Sequence, residues 1–215
     1  MSRERLSGRD LVVWRGETAV LDGVSVSLQR GELLRIDGEN GSGKTTLLRV
    51  LAGLVEADEG DVRFEGARLP RARDALNAAL LWIGHRPGTS ESLTALENLR
   101  ACAVTHGVRP DPRRIGEALD ALGLQGRHAL PVASLSAGQR RRVALARLAL
   151  EPCALWVLDE PLTALDARGL DWLRERLSEQ VRSGGSVLMT THQPLEIPGI
   201  AMSTCRLAGG RTVDA

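Results

Sequence analysis

Along the first 70 residues, apolar and polar positions alternate in short runs. The stretches from Ala19 to Leu28 and from Asp61 to Phe64 place every second side chain on one face, and glycines and charged residues separate the runs. Period two of this kind predicts half-buried strands, and Glu32 to Asp37 predicts another short one. Lys44 to Gly53 instead carries Leu47, Leu48 and Leu51 on one side, with Leu54 just beyond, and reads as a helix that Gly53 stops. From residue 93 to 150 the period lengthens. Leu, Ala and Arg recur at helical spacing in Thr94 to His106, Pro112 to Leu122 and Ala137 to Leu150, a helical insertion. Apolar strands return at Ala154 to Leu158 and Ser186 to Thr190, with a helix from Ala167 to Arg182 between them and Ser183 to Gly185 closing it. A strand, helix and strand in that order predict a parallel sheet and an α/β fold.

Composition narrows this frame. A chain of 215 residues suits one domain with subdivisions or two small domains, and 43% hydrophobic content is enough for a core. Its 28 Lys and Arg against 27 Asp and Glu leave a net charge of +1, so no global field favours nucleic acid or an anionic membrane, and no nucleic-acid partner is expected. Aromatic residues make up 2% of the chain, which leaves few platforms for stacking bases. Cys102, Cys153 and Cys205 are far apart and match no metal spacing, and an odd count makes a poor disulfide framework, so a reducing compartment is expected. The first residues contain no apolar signal region, and the apolar stretch from Val143 to Leu158 is broken by Arg147, Glu151 and Pro152. The chain is expected neither to cross a bilayer nor to be exported.

The chemistry begins at residues 38–46. Gly38, Glu39, Asn40, Gly41, Ser42, Gly43, Lys44, Thr45 and Thr46 fit the phosphate-binding loop, in which two glycines with four residues between them precede Lys and Thr. Small residues let backbone N–H groups approach phosphate oxygens, Lys44 adds a mobile cation, and Thr45 offers a hydroxyl to Mg²⁺. ATP with Mg²⁺ is the expected ligand. Asp159 and Glu160 follow directly on an apolar strand, which delivers two carboxylates at a sheet edge. Alternation along an extended chain would point them apart, Asp159 toward the metal and Glu160 toward an attacking water. Ser136, Gly138 and Gln139 then open a helix whose N-terminus is a second anion-binding end.

Leu135-Ser-Ala-Gly-Gln139, placed between the phosphate loop and Leu158-Asp-Glu-Pro161, resembles the signature sequence of ABC-type ATPases, and the resemblance spans nearly the whole chain. It implies a P-loop NTPase fold with a parallel-sheet core, an N-terminal antiparallel β subdomain and a helical signature subdomain at about residues 86–150, all within one nucleotide-binding domain covering 1–215. It further implies a homodimer in which Ser136, Gly138 and Gln139 of one copy complete the nucleotide site of the other. Trp14 aligns with an aromatic set against adenine, residues 163–166 with a segment facing the partner copy, and His192 with a histidine that senses the terminal phosphate beside Glu160 and Lys44. Trp82 and Trp156 read as core, and Trp172 lies in the late helix.

His85 stands where most of the family carries a glutamine touching Mg²⁺. Its imidazole has a shorter reach than a glutamine amide but can ligate a metal through a ring nitrogen, which leaves metal contact and partner coupling both open. Gly84-His-Arg-Pro-Gly88, Leu93-Thr-Ala-Leu-Glu-Asn-Leu99 and the alanine at 137 together resemble the ATP-binding subunits of haem exporters in cytochrome c maturation. That resemblance implies integral membrane transporter subunits as partners, a periplasmic haem chaperone acted on indirectly, and a place on the cytoplasmic face of the bacterial plasma membrane. Another exporter's ATPase, or a soluble ABC ATPase, would share the same core. No residue pattern resembles a haem site.

Overall fold

In the computed structural model, which describes residues 3–163 and 165–213, the alternating N-terminal runs form β1 (Glu4–Arg15) and β2 (Thr18–Gln29), paired antiparallel across a turn at Gly16 and Glu17. The chain continues through β3 (Leu33–Gly38), α1 (Lys44–Leu51), β4 (Glu59–Phe64), β5 (Ala67–Arg68), α2 (Arg73–Ala79) and β6 (Leu80–Ile83). Three helices follow, α3 (Ala95–Thr105), α4 (Pro112–Ala121) and α5 (Ala137–Leu145). The chain then runs through β7 (Leu155–Asp159), α6 (Ala167–Arg182), β8 (Ser186–Thr190), β9 (Met202–Ala208) and β10 (Arg211–Val213).

One sheet is antiparallel, in the order β2-β1-β4-β5. The other runs β10-β9-β3-β8-β7-β6, with all but β10 parallel. The predicted parallel unit is present, because β7 and β8 pair directly after the α6 crossover. Side chains leave this sheet alternately, and each face has its own core. Leu155, Val157 and Leu188 join Leu47, Leu48 and Leu51 of α1 and the antiparallel sheet. Trp156, Leu158 and Met189 join Leu99, Ile115 and Val143 of the helical insertion. Fully burying Leu47, Leu48 and Leu51 contributes about 2 kcal/mol each and fixes α1 beneath the carboxyl ends of the strands.

Four elements differ from the sequence expectation. The helix predicted over Ala137 to Leu150 ends at Leu145 and tightens to a 3₁₀ turn at Ala146–Ala149. Pro152 sets where the helical run stops, since a proline disfavours helical backbone at Glu151 and turns the chain toward β7. Helix α2 escapes pattern reading because Leu76 is its only buried residue, which leaves no apolar stripe. Strands β9 and β10 escape it because both are largely exposed and lack clear alternation, with β10 at the sheet's edge. No helix among the described residues is long and apolar enough to cross a membrane.

Candidate active site

The loop of residues 38–43 leaves the carboxyl end of β3 and enters α1, and its glycines are dictated by what surrounds them. Gly38 lies at φ +144, where a Cβ would stand 2.3 Å from the Leu207 carbonyl oxygen. Gly43, the N-cap of α1, lies at φ +100, and a Cβ there would stand 2.6 Å from the Val20 carbonyl oxygen. Lys44 Nζ donates to the carbonyl oxygens of Gly38 at 2.6 Å and Glu39 at 2.8 Å, so the ammonium is folded across the loop. The Ser42 hydroxyl is buried without a hydrogen-bond partner. No acidic residue occupies the first turn of α1, so its positive end is uncompensated. An unsatisfied hydroxyl, a cation and a helix N-terminus on one glycine-rich loop fit a polyphosphate anion.

Asp159 closes β7 and is 2% exposed. Its Oδ2 accepts from Thr45 Oγ1 at 3.0 Å and its Oδ1 from Thr190 Oγ1 at 2.8 Å. A hydroxyl and a carboxylate side by side are the oxygen donors a hard divalent cation selects, so the pair fits Mg²⁺. Glu160 corrects the sequence expectation. It does not continue an extended strand but lies at φ +53, so alternation is not what aims its side chain. The chain turns sharply after β7, and Thr190 Oγ1 accepts the Glu160 N–H at 3.0 Å. His192 Nε2 stands 3.4 Å from Glu160 Oε1, within ion-pair range but without hydrogen-bond geometry, which leaves Oε1 buried and unbonded. The two carboxylates therefore differ: Asp159 is held by two hydroxyls, and Glu160 keeps an oxygen able to accept a proton.

A cavity of about 560 Å³ gathers Gly41, Lys44, Thr45, Asp159, Glu160 and His192, with His85 and Arg86 at its border. The rest of the loop, Gly38, Glu39, Asn40 and Ser42, also lines an adjoining cleft that His192 shares. Trp14 lines neither cavity. It is 50% exposed, which excludes a core role, and it pairs with Ala19, next to the cavity-lining Val20. Trp156 is buried, and Trp82 and Trp172 are partly buried against the two cores. Ser136, Gly138 and Gln139 also lie outside the phosphate cavity, and Gly138 opens onto a separate groove of about 680 Å³ that shares His85 and Glu160 with it. Ser136 and Gln139 cap each other: Ser136 Oγ accepts the Gln139 N–H at 3.2 Å, and Gln139 Oε1 accepts the Ser136 N–H at 3.0 Å. The Ser136 amide, expected to be free for an anion, is thus engaged within its own helix. In the segment 163–166, Ala164 lies outside the described residues, Thr163 is exposed, and Asp166 caps α6.

Sequence reading missed Thr190, whose hydroxyl bonds both Asp159 and Glu160. Its position as the last residue of an apolar strand was the available signal. It also missed Arg141, which lies in a basic triplet but is 6% exposed. Cys153, without a metal spacing in sequence, comes together with His106 and Glu151, their ligating atoms within 4.8 Å of one another. That cluster is already satisfied. Glu151 is bound by Arg147 at 2.7 and 3.0 Å, His106 Nε2 contacts the Leu80 carbonyl at 3.2 Å, and burial pushes the Cys153 thiol up to about 12.

A phosphate loop and paired carboxylates at the carboxyl edge of a parallel sheet, with a helical insertion whose α5 opens onto an adjoining groove, define a P-loop ATPase cassette. Residues 21–163 match the ABC transporter family, and the chain belongs to that family. It is 50% identical, over 94% of its length and 96% of the relative's, to the cytochrome c biogenesis ATP-binding export protein CcmA of Salmonella typhi. Among solved structures it resembles an ATP-binding subunit of an ABC transporter, with a TM-score of 0.85 and 29% identity over 97% of this chain and 88% of that one. A dimeric cassette in a post-hydrolysis state, bound to ADP and Pi, shares the fold with a TM-score of 0.80 at 24% identity, over 96% of each chain.

Proposed function

We propose that this chain is the ATP-hydrolysing subunit of a haem exporter acting in c-type cytochrome biogenesis. The observation that carries the reading is the 50% identity, over nearly the full length of both chains, to a protein named for export in cytochrome c biogenesis. The site supports the hydrolytic half of it. Lys44 and the first amides of α1 offset phosphate charge, and Thr45 and Asp159 hold Mg²⁺, with His85 at the border as a further contact. Glu160 takes the proton of the attacking water, because its Oε1 is the buried carboxylate oxygen left without a hydrogen bond. His192, 3.4 Å from that oxygen, orients the water against the terminal phosphate.

Two copies are required in this reading. Gly138 and Ser136 lie outside their own chain's phosphate cavity, so they serve a nucleotide held by a second copy, with Gln139 releasing the Ser136 amide as the pair closes. Trp14, exposed beside the cavity, packs on the adenine. The helical stretch at about 86–150 moves as a subdomain, and the groove between it and the sheet faces integral membrane subunits on the cytoplasmic side of the plasma membrane. Through them, hydrolysis supports haem delivery to a periplasmic chaperone. Deleting the gene tests the assignment: holo-cytochromes c should disappear while b-type haem proteins persist. Retained c-type maturation would reject the export role and leave the ATPase reading standing.

A further inference from the structure

Arg141 lies on α5, five residues beyond Ser136, with its side chain turned inward. Its guanidinium serves four backbone carbonyls at two strand ends. Nη1 donates to Gly84 and, at 3.3 Å, to His85, both just past β6. Nη2 donates to Asp159 and, at 3.0 Å, to Glu160, at the end of β7. Among the described residues it makes no side-chain ion pair. Burial pulls its pKa down, and the nearby charges of Asp159 and Glu160 oppose that shift.

A buried guanidinium costs several kcal/mol in lost hydration, and only dense hydrogen bonding offsets such a cost. Here the bonds converge on the peptide units that aim the site. Glu160 is held on both sides, its N–H by Thr190 and its carbonyl by Arg141, at a positive φ that a non-glycine residue keeps only when its surroundings impose it. The same fork fixes the backbone of His85, which borders both the phosphate cavity and the groove holding Gly138. The start of α5 and the carboxylate at the end of β7 are therefore joined through one planar side chain.

We propose that Arg141 is a positioning residue that couples the two nucleotide sites of the closed pair, an inference that rests on the paired reading above. Within one copy it ties the helix start that serves the partner's nucleotide to Glu160, which serves its own. When α5 is drawn onto the partner's phosphate, the fork carries that displacement to Glu160 and His85, so filling one site readies the base of the other. Lys cannot reproduce the fork, because a point charge on a flexible stem replaces planar donors in fixed geometry.

The test is ATP turnover against ATP concentration in the assembled transporter, for the wild type, Arg141→Lys, Arg141→Gln and Arg5→Lys. Arg5 is the matched control, since it also bridges carbonyls, those of Ala154 at 3.1 Å and Gly184 at 2.8 Å, away from the site. The wild type should respond sigmoidally to ATP. Both Arg141 variants should keep half-saturation within about threefold, lose about tenfold in kcat and become hyperbolic. Arg5→Lys should lower Tm with kcat and sigmoidicity kept. Hyperbolic turnover in the wild type overturns the coupling whatever the variants do, and so does a sigmoid retained in either Arg141 variant. A failure of pairing is read separately, from Glu160→Gln not dimerising on ATP.

Discussion

Thr45 Oγ1 and Asp159 Oδ2 stand 3.0 Å apart although 114 residues separate them along the chain. The hydroxyl comes from the second residue of α1 and the carboxylate from the last residue of β7, and the parallel order β3-β8-β7 brings both to one edge. As a pair of oxygen ligands they should govern the cation. Thr45→Ala and Asp159→Ala are each expected to raise the Mg²⁺ concentration for half-maximal turnover about tenfold or more, and chelation should stop turnover altogether. Unchanged Mg²⁺ dependence in both variants would remove this role.

Glu160→Gln replaces the acceptor oxygen with an amide of the same shape. ATP binding should persist, hydrolysis should slow by about two to four orders of magnitude, and the nucleotide-bound pair should accumulate. Turnover equal to wild type, followed in the same assay, would exclude Glu160 as the base.

Thr190 donates to Asp159 and accepts from Glu160 through one hydroxyl. Thr190→Val keeps the shape and leaves a buried carboxylate oxygen and an N–H short of a partner. The expected cost is about 1–3 kcal/mol of stability, with a fall in kcat, while Thr190→Ser keeps both bonds and should behave like wild type. Denaturant unfolding and turnover, measured on the same preparations, decide this.

Burial, with the negative charge of Glu151 beside it and Arg147 opposing, raises the Cys153 thiol from 9.0 to about 12. The folded chain holds this proton more tightly than the unfolded chain, so the contribution to stability is full below about pH 9 and lost as pH rises to about 12. Unfolding midpoints should fall more steeply above pH 9 in the wild type than in Cys153→Ala. Identical slopes would show that the thiol takes no part.

Much of the fold was legible in local pattern. Ala167 to Arg182 and Ser186 to Thr190 fold with the bounds their periodicity predicts, because a long amphipathic stripe and a wholly apolar run each state their burial directly. Helix α2, with one buried residue, and the exposed β9 carry no such statement. The change to a 3₁₀ turn after Leu145 has no signal in the local pattern, and the direction of Glu160 was misread because a strand was assumed to continue where the chain turns.

The sequence alone determined the chemistry that is local: glycines at 38, 41 and 43 followed by Lys44 and Thr45, a carboxylate pair at a strand end, and a capped helix opening at Ser136. Each of these signals spans only a few residues, so backbone sterics and side-chain chemistry suffice to read it. Only tertiary structure decided that Thr190 would bond the Asp159 carboxylate and the Glu160 N–H, and that Arg141, within a basic triplet, would turn inward to four carbonyls. It likewise placed Ser136 outside its own phosphate cavity. Each of these depends on which strands become neighbours, and that is set by burial summed over both faces of the sheet rather than by any short stretch of chain.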